Sequence, residues 1–207
     1  MLTRSTFLRV LAATLLAAPT PSALAQVGPQ EAAEFIQRAG GQLAATIGGT
    51  GSVAEKRRRL VPFMEEVVDV DGVARFALGR FWRQATPAQQ QAYLRLFHDV
   101  LANSIAGRLG EYEGQTAQVA VGRPDQRADG IYVPTTITRP NNQPFNVTWL
   151  VTAEGGRPRI ADVIAEGMSL RLAQRNDYSS YITRNGNDVG ALIRALEAQV
   201  REGAGLR

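Results

Sequence analysis

The 207-residue sequence contains no cysteine and a single histidine, His98. Without cysteine the chain cannot form disulfides, iron–sulfur sites, zinc ribbons or a thiol nucleophile, and one histidine cannot build a histidine metal cluster. No apolar run approaches the ~18 residues that a membrane-spanning helix needs. Glycine and proline occur without a period, which excludes a collagen-like chain. The remaining composition, 44% hydrophobic and 20% charged, predicts one globular domain with a substantial core.

The N-terminus has the pattern of a removable export signal. Arg4 and Arg9 form a basic region, a short apolar run follows, and Ala23-Leu24-Ala25 is a small-residue cleavage site. We therefore predict a signal peptide over residues 1–25 and a single mature domain over residues 26–207. The signal carries two arginines and no acidic residue, so its removal lowers the formal charge of +4 by two. The remaining charge is mild and does not indicate a nucleic-acid partner.

Helical spacing of apolar residues dominates the first half of the mature chain and returns at its end. Ser52 with Glu55 forms a capping box, and Thr86-Pro87 followed by Gln89 is the clearest helix start. These signals predict helices over residues 29–47, 52–68, 71–81, 86–110, 169–183 and 188–201.

Between these helical regions the period changes to strict alternation. In the third alternating segment Val147, Trp149 and Val151 alternate with polar residues, which predicts a sheet with two unlike faces. Four strands are expected over residues 115–121, 130–139, 144–153 and 157–165, and Gly155-Gly156 predicts an antiparallel hairpin between the last two. The predicted fold class is α+β, with an N-terminal helical half and C-terminal helices packed on a four-stranded antiparallel sheet.

Candidate polar sites in the sequence have simple structural interpretations. We expect His98 to face solvent, Ser169 to cap a helix, and either Asp69 or Asp71 to act as another cap. The run Lys56-Arg57-Arg58-Arg59 predicts a solvated helix face, with docking onto an acidic partner or anionic headgroups as the alternative.

Two segments resemble the MlaC-type family, which is also called the toluene-tolerance auxiliary family. The first runs from Asp71 to Gln90 and includes Leu78-Gly79 and Trp82-Arg83 before the Thr86-Pro87 helix start. The second, from Ile160 to Leu170, is similar to the family's strand-to-helix element around Asp162-Val163 and Glu166-Gly167. Arg157-Pro158-Arg159 departs from the family pattern, which usually has a Trp-Lys pair before this strand. A hopanoid-associated branch shares the same motifs.

This resemblance implies a periplasmic carrier that moves phospholipid between the outer and inner membranes. It implies exchange with an outer-membrane lipoprotein complex and with an inner-membrane ABC transporter that bears an MCE-domain ring. It also implies an apolar pocket for acyl chains. We expect a monomer that is not an enzyme and needs no metal or cofactor.

A carrier of this kind needs an apolar interior. The roughly thirty methylenes of a diacyl lipid cost on the order of 20 kcal/mol to expose to water, at ~0.8 kcal/mol each. Candidate pocket residues are apolar side chains from the predicted helices and sheet: Phe76, Phe81, Tyr93, Phe97, Leu101, Ile105, Val133, Ile137, Val147, Trp149, Val151, Ile160 and Met168.

Two other classes of function remain open from the residues alone. An α+β enzyme with a cone-shaped pocket could use Asp162 as a base, and such a residue would lie in a cleft with a raised pKa. A structural or protein-binding module would instead have a filled interior. Another apolar ligand, such as a hopanoid, is the alternative within the family.

Overall fold

The computed structural model describes residues 27–49, 52–107, 118–139 and 142–205. The predicted signal peptide, the C-terminal end of the predicted 86–110 helix and the start of the first predicted strand lie outside these residues. The described helices are α1 (Pro29–Gly48), α2 (Val53–Val67), α3 (Val70–Leu78), a 3-10 helix (Gly79–Arg83), α4 (Pro87–Gly107), α5 (Leu170–Arg184) and α6 (Val189–Gly205).

The helix starts are determined by local capping. The Ser52 side chain accepts a hydrogen bond from the Glu55 amide, and the Glu55 carboxylate accepts one from the Ser52 amide. Thr86 and Gln89 form the same reciprocal pair before α4. Asp69 accepts from the Gly72 amide at 2.8 Å and caps α3, and Ser169 caps α5 through the Leu172 amide. The predicted caps are therefore confirmed, because they depend only on neighbours within one turn.

All four predicted strands are present, and two short strands join them. The strands are β1 (Gln118–Val121), β2 (Asp125–Arg127), β3 (Gly130–Thr138), β4 (Phe145–Glu154), β5 (Arg157–Ala165) and β6 (Met168–Ser169). They form one antiparallel sheet in the order β1-β3-β4-β5-β6, with β2 also paired to β3. The prediction missed β2 and β6 because segments of two or three residues are too short to have a detectable alternation.

The buried apolar side chains divide into two main groups. The helical cluster joins α3, the 3-10 helix, α4, α5 and α6, with Phe81, Tyr93 and Ile182 among its most buried members. The sheet-side cluster joins α1 and the end of α2 to the sheet: Val27, Ala32, Ile36, Ala39, Val67, Ile131, Val133, Val151 and Ile160. Helices thus pack on the sheet, and the predicted α+β class is confirmed. None of the helices in the described ranges is long and apolar enough to cross a membrane.

Three aromatic rings form the centre of the helical cluster. The Tyr93 ring lies 5.9 Å from Phe97 and 6.2 Å from Tyr178, between ring centroids. The Tyr93 hydroxyl donates to the Ala74 carbonyl at 2.8 Å, so this buried polar group is satisfied. Burial also raises the pKa of the Tyr93 hydroxyl, and it raises the pKa of Tyr178 to about 12. These rings therefore stabilise the helical half of the fold.

Phe76, in the first family-like segment, contacts the first turns of α5, which begins where the second segment ends. The guanidinium groups of Arg171 and Arg175 lie 4.4 and 5.1 Å from the centroid of its ring. Gly79 has a φ of +56°, and a Cβ atom there would lie 2.9 Å from Arg175 Nε. Only glycine combines this left-handed conformation with so close an approach. The first segment thus contacts α5 directly after the end of the second segment.

Candidate functional site

The central strands present one continuous apolar face. Val133 on β3 pairs with Trp149 on β4, and Trp149 pairs with Val163 on β5. Directly paired residues share a face, and positions two apart along one strand share it too. The same face therefore carries a row of apolar side chains from β3, β4 and β5: Ile131, Val133, Ile137, Val147, Trp149, Val151, Ile160 and Val163.

A bulge in β5 keeps this face apolar. Leu150 pairs with Asp162 and Val151 pairs with Ile160, so Ala161 is the extra residue between them. In a regular strand Ile160 and Asp162 would lie on the same face. The bulge instead lets Ile160 join the sheet-side cluster while Asp162 lies on the opposite side with Leu150.

On that opposite side, Asp162 joins β5 to the start of α5. It is 5% exposed, and its carboxylate accepts hydrogen bonds from Ser169 Oγ at 2.6 Å and from the Val163 and Arg171 amides. Arg171 Nε also lies 3.4 Å from Asp162 Oδ2. With both oxygens engaged, Asp162 has the contacts of a structural residue rather than of a catalytic base.

The polar atoms on the apolar face bond to one another. Trp149 Nε1 donates to Thr135 Oγ1 at 2.9 Å, and Thr135 Oγ1 donates to the Val147 carbonyl at 2.9 Å. These bonds satisfy the indole N–H and the buried hydroxyl without water. This part of the face can therefore contact hydrocarbon without leaving these groups unpaired.

Helices α1 and α2 cover the apolar face. Ile36 and Ala39 of α1 and Val67 of α2 are buried in the sheet-side cluster. Nearby, Leu60 of α2 is buried against Leu43, Phe63, Met64 and Ile105, which joins α2 to α1 and α4. The apolar face thus has a lid of two helices, each amphipathic along its length.

Both covering helices contain residues that weaken helices. Helix α1 has Gly40 and Gly41 in its interior, and α2 has Pro62. An internal glycine costs about 1 kcal/mol relative to alanine, and an internal proline removes a backbone hydrogen bond. Helix α5 has neither residue, and α4 has neither between Ala88 and Ala106. The helices over the sheet are therefore easier to bend than those two helices of the helical cluster.

A groove of about 240 Å³ opens at the edge of this layer. It lies between α1, the C-terminal end of α2 and the start of β5. Phe35, Ala39 and Val67 form an apolar floor that is continuous with the sheet-side cluster. The remaining lining residues are largely polar or charged: Arg38, Gln42, Glu66, Arg157, Pro158 and Arg159. The groove is smaller than the roughly 300–1,000 Å³ of typical ligand pockets, so it does not accommodate two acyl chains in this arrangement.

The structure separates the predicted pocket residues into two groups. Those of the sheet share the apolar face described above: Val133, Ile137, Val147, Trp149, Val151 and Ile160. Three of those from the helices, Phe81, Tyr93 and Phe97, are buried in the helical cluster instead. The prediction did not foresee two clusters, because a buried helical stripe has the same sequence pattern whichever core it faces.

The other predicted pocket residues lie in varied surroundings. Leu101 packs against the helical cluster and borders a hollow of about 20 Å³ near His98, while Ile105 contacts the Leu60 group. Phe76 is covered by two guanidinium groups. Met168 is 63% exposed, because it lies on the short edge strand β6. It is therefore outside the apolar interior in this arrangement.

Two further sequence expectations need correction. His98 does not simply face solvent, because its Nε2 lies 2.9 Å from Asp71 Oδ1 and its side chain is only 35% exposed. Lys56 is 3% exposed and lies one helical turn before the buried Leu60, whereas Arg58 and Arg59 are exposed. The basic run is thus not a uniformly solvated face, since one of its members points towards the interior of the fold.

Sequence reasoning missed the groove. Its floor comes from α1 and α2, whose apolar stripes were recognised but not assigned to a site. Its arginines include Arg157 and Arg159, which were noted only as a departure from the family pattern. This departure from the family pattern was the sequence signal for the groove. It could not show that these arginines lie beside α1, because α1 is more than a hundred residues away along the chain.

Comparison with known proteins gives three concordant findings. The family described as MlaC protein matches residues 37–198. Toluene tolerance protein ttg2D of Pseudomonas putida is 28% identical over 137 residues, which span 65% of this chain and only 62% of that protein. The phospholipid-binding protein of Ralstonia solanacearum, solved in complex with a phospholipid, matches with a TM-score of 0.70 and 28% identity, covering 84% of this chain and 98% of that one.

Proposed function

Because the chain belongs to the MlaC family, we propose that it binds phospholipid and carries it between membranes. The acyl chains enter the layer between the apolar sheet face and helices α1 and α2. The observation that carries this proposal is the continuous apolar face under a two-helix lid, with a groove open to water at its edge. The phospholipid-bound Ralstonia protein, which shares the fold, supports the choice of ligand.

Binding requires the lid to move. Val133 and Val151 are at most 1% exposed, so acyl chains reach the face only by replacing the side chains that now cover it. This replacement exchanges one set of apolar contacts for another, so its net cost is far below that of exposing the lipid to water. Gly40, Gly41 and Pro62 let the two covering helices bend as the layer fills.

The cellular role follows from the same proposal. We place the mature domain in the periplasm, after cleavage of the predicted signal peptide at Ala25. There it exchanges phospholipid with an outer-membrane lipoprotein complex and with an inner-membrane ABC transporter that bears an MCE domain. The similarity to toluene tolerance protein ttg2D supports a role in maintaining the outer membrane. The protein acts as a monomer and without catalysis, which agrees with the structural contacts of Asp162.

The test is to extract the native protein with organic solvent and analyse the extract by mass spectrometry. We expect co-purified phospholipid in a stoichiometric amount, and uptake of labelled phospholipid from vesicles by the stripped protein. A hopanoid in the extract instead would assign the protein to the alternative branch. A protein that is purified without bound lipid and takes up no lipid from vesicles would overturn the proposal.

A further inference from the structure

The groove at the edge of the sheet-side cluster is lined by more basic than acidic side chains. Three arginines line it, Arg38, Arg157 and Arg159, against one acidic lining residue, Glu66. Its floor, by contrast, is the apolar side of α1 and the end of α2. A ligand that matches this surface therefore has an anionic part joined to a hydrocarbon part.

The arginines retain hydrogen-bonding capacity for an anion. Arg159 donates through one terminal nitrogen to the Glu65 carbonyl at 2.9 Å, and its buried Nε lies 3.5 Å from Glu154 Oε2, which leaves its second terminal nitrogen for an anion. Arg38 lies 3.9 Å from Glu34, and both side chains are more than half exposed, so this pair is weak. Arg157 is exposed and forms no ion pair with the described residues.

We propose that this groove binds the phosphate of an anionic phospholipid headgroup, and that it gives the protein a preference for net-negative over zwitterionic lipids. The inference rests on the proposed function, because the acyl chains must occupy the adjoining layer. Guanidinium groups bind phosphate oxygens in a bidentate manner, and both lipid classes offer such a phosphate. The preference arises because the same arginines repel the cationic ammonium group of a zwitterionic headgroup, whereas a net-negative headgroup carries no such cation.

A free anion is a poorer match to the same surface. Phe35, Ala39 and Val67 contribute nothing to the binding of inorganic phosphate, whereas they lie where the glycerol and first methylenes of a lipid would pass from the groove to the sheet face. The lipid headgroup is therefore the occupant that uses both parts of the groove.

The experiment is a competition between two lipids. The full-length protein is equilibrated with vesicles of equal phosphatidylglycerol and phosphatidylcholine content, re-isolated, and its bound lipids are measured by mass spectrometry. We expect the wild type to be enriched in phosphatidylglycerol. Arg157→Gln together with Arg159→Gln should lower that enrichment about three- to tenfold.

Controls separate the possible failures. Arg184→Gln removes one positive charge, as Arg157→Gln does, from an exposed position at the end of α5 and should leave the lipid ratio unchanged. Arg157→Gln alone changes an exposed site and should give a smaller loss of phosphatidylglycerol enrichment. This single variant still tests the proposal if the double variant is unstable. An unchanged ratio in both groove variants overturns this proposal but leaves the carrier function intact. A wild type that binds neither lipid overturns the carrier function itself.

A last arm distinguishes the two sources of phosphate. Inorganic phosphate alone is added to lipid-free protein, and the shift in its melting temperature is compared between the wild type and the double variant. We expect little shift in either. A clear stabilisation of the wild type that the variant loses would mean that the groove is a site for free anions, and it would overturn the headgroup assignment.

Discussion

If lipid enters beneath α1, then tying α1 to the sheet should stop lipid exchange. The chain offers a site for a reversible tie, because a Cβ atom built on Gly40 of α1 would lie 4.0 Å from the Cβ atom of Val119 on β1. Disulfide-bonded cysteines have Cβ–Cβ distances of about 3.5–4.5 Å. The variant Gly40→Cys with Val119→Cys should therefore form a disulfide with little distortion, and the absence of native cysteine leaves no competing thiol.

The stabilisation that the disulfide adds can be estimated from the length of the loop that it closes. A loop of about 80 residues predicts a stabilisation of roughly 4.5 kcal/mol from the lost entropy of the unfolded chain. For a domain of this size, that corresponds to a rise of roughly 10 °C in melting temperature. In the folded state the bond holds the two Cα atoms within about 7 Å, so this part of α1 cannot leave the sheet.

The assay compares transfer of labelled phospholipid between vesicles by the oxidised and the reduced double variant. We expect the oxidised form to transfer lipid at least about tenfold more slowly, and a reductant to restore the rate. The single variants Gly40→Cys and Val119→Cys control for oxidation and for the substitutions themselves. An oxidised protein with the expected gain in melting temperature and an unchanged transfer rate would refute lid movement at α1.

Three further predictions test other parts of the structure. Trp149→Glu or Val147→Glu should lower lipid occupancy measured by mass spectrometry while circular dichroism stays near that of the wild type; if either variant unfolds, that residue is part of the packed core. Gly79→Ala should lower the free energy of unfolding, measured in urea, by about 1–3 kcal/mol. The reason is that alanine is strained at a φ of +56° and that its Cβ atom meets Arg175. An unchanged unfolding midpoint would contradict this account. Burial raises the pKa of Tyr178 to about 12, so on raising the pH the unfolded chain loses this proton before the folded chain does. The free energy of unfolding should therefore fall by about 1.4 kcal/mol per pH unit for each such tyrosine as the pH rises above 10. For Tyr178 this fall ends near pH 12. Tyr178→Phe should reduce that slope, and an equal slope in both proteins would argue against the shift.

The parts of the fold that depend on near neighbours could be predicted. The caps at Ser52, Thr86 and Ser169 need only residues within one turn, and the alternation around Trp149 reports which side chains share a face. The family resemblance of the Asp71–Gln90 segment likewise led to the correct family, because it lies in a contiguous run. These features are determined by short stretches of sequence.

The separation into two clusters could not be predicted in the same way. Phe97 and Val133 are both buried apolar residues with regular spacing, and no local pattern says that one belongs to the helical cluster and the other to the sheet side. Assignment to a core depends on which element packs against which, and that is decided by contacts between distant segments.

The candidate site is the clearest case of this division. The sequence by itself determined the longer helices and strands, the caps and the apolar alternation of the strands, because each of these depends on backbone preferences and contacts within a few residues. Only the tertiary structure decided that a bulge turns Asp162 away from the apolar face, and that Arg38 and Arg159 meet across one groove. The physical reason is that register, bulges and helix placement minimise the free energy of the whole packed chain, to which residues more than a hundred positions apart contribute together.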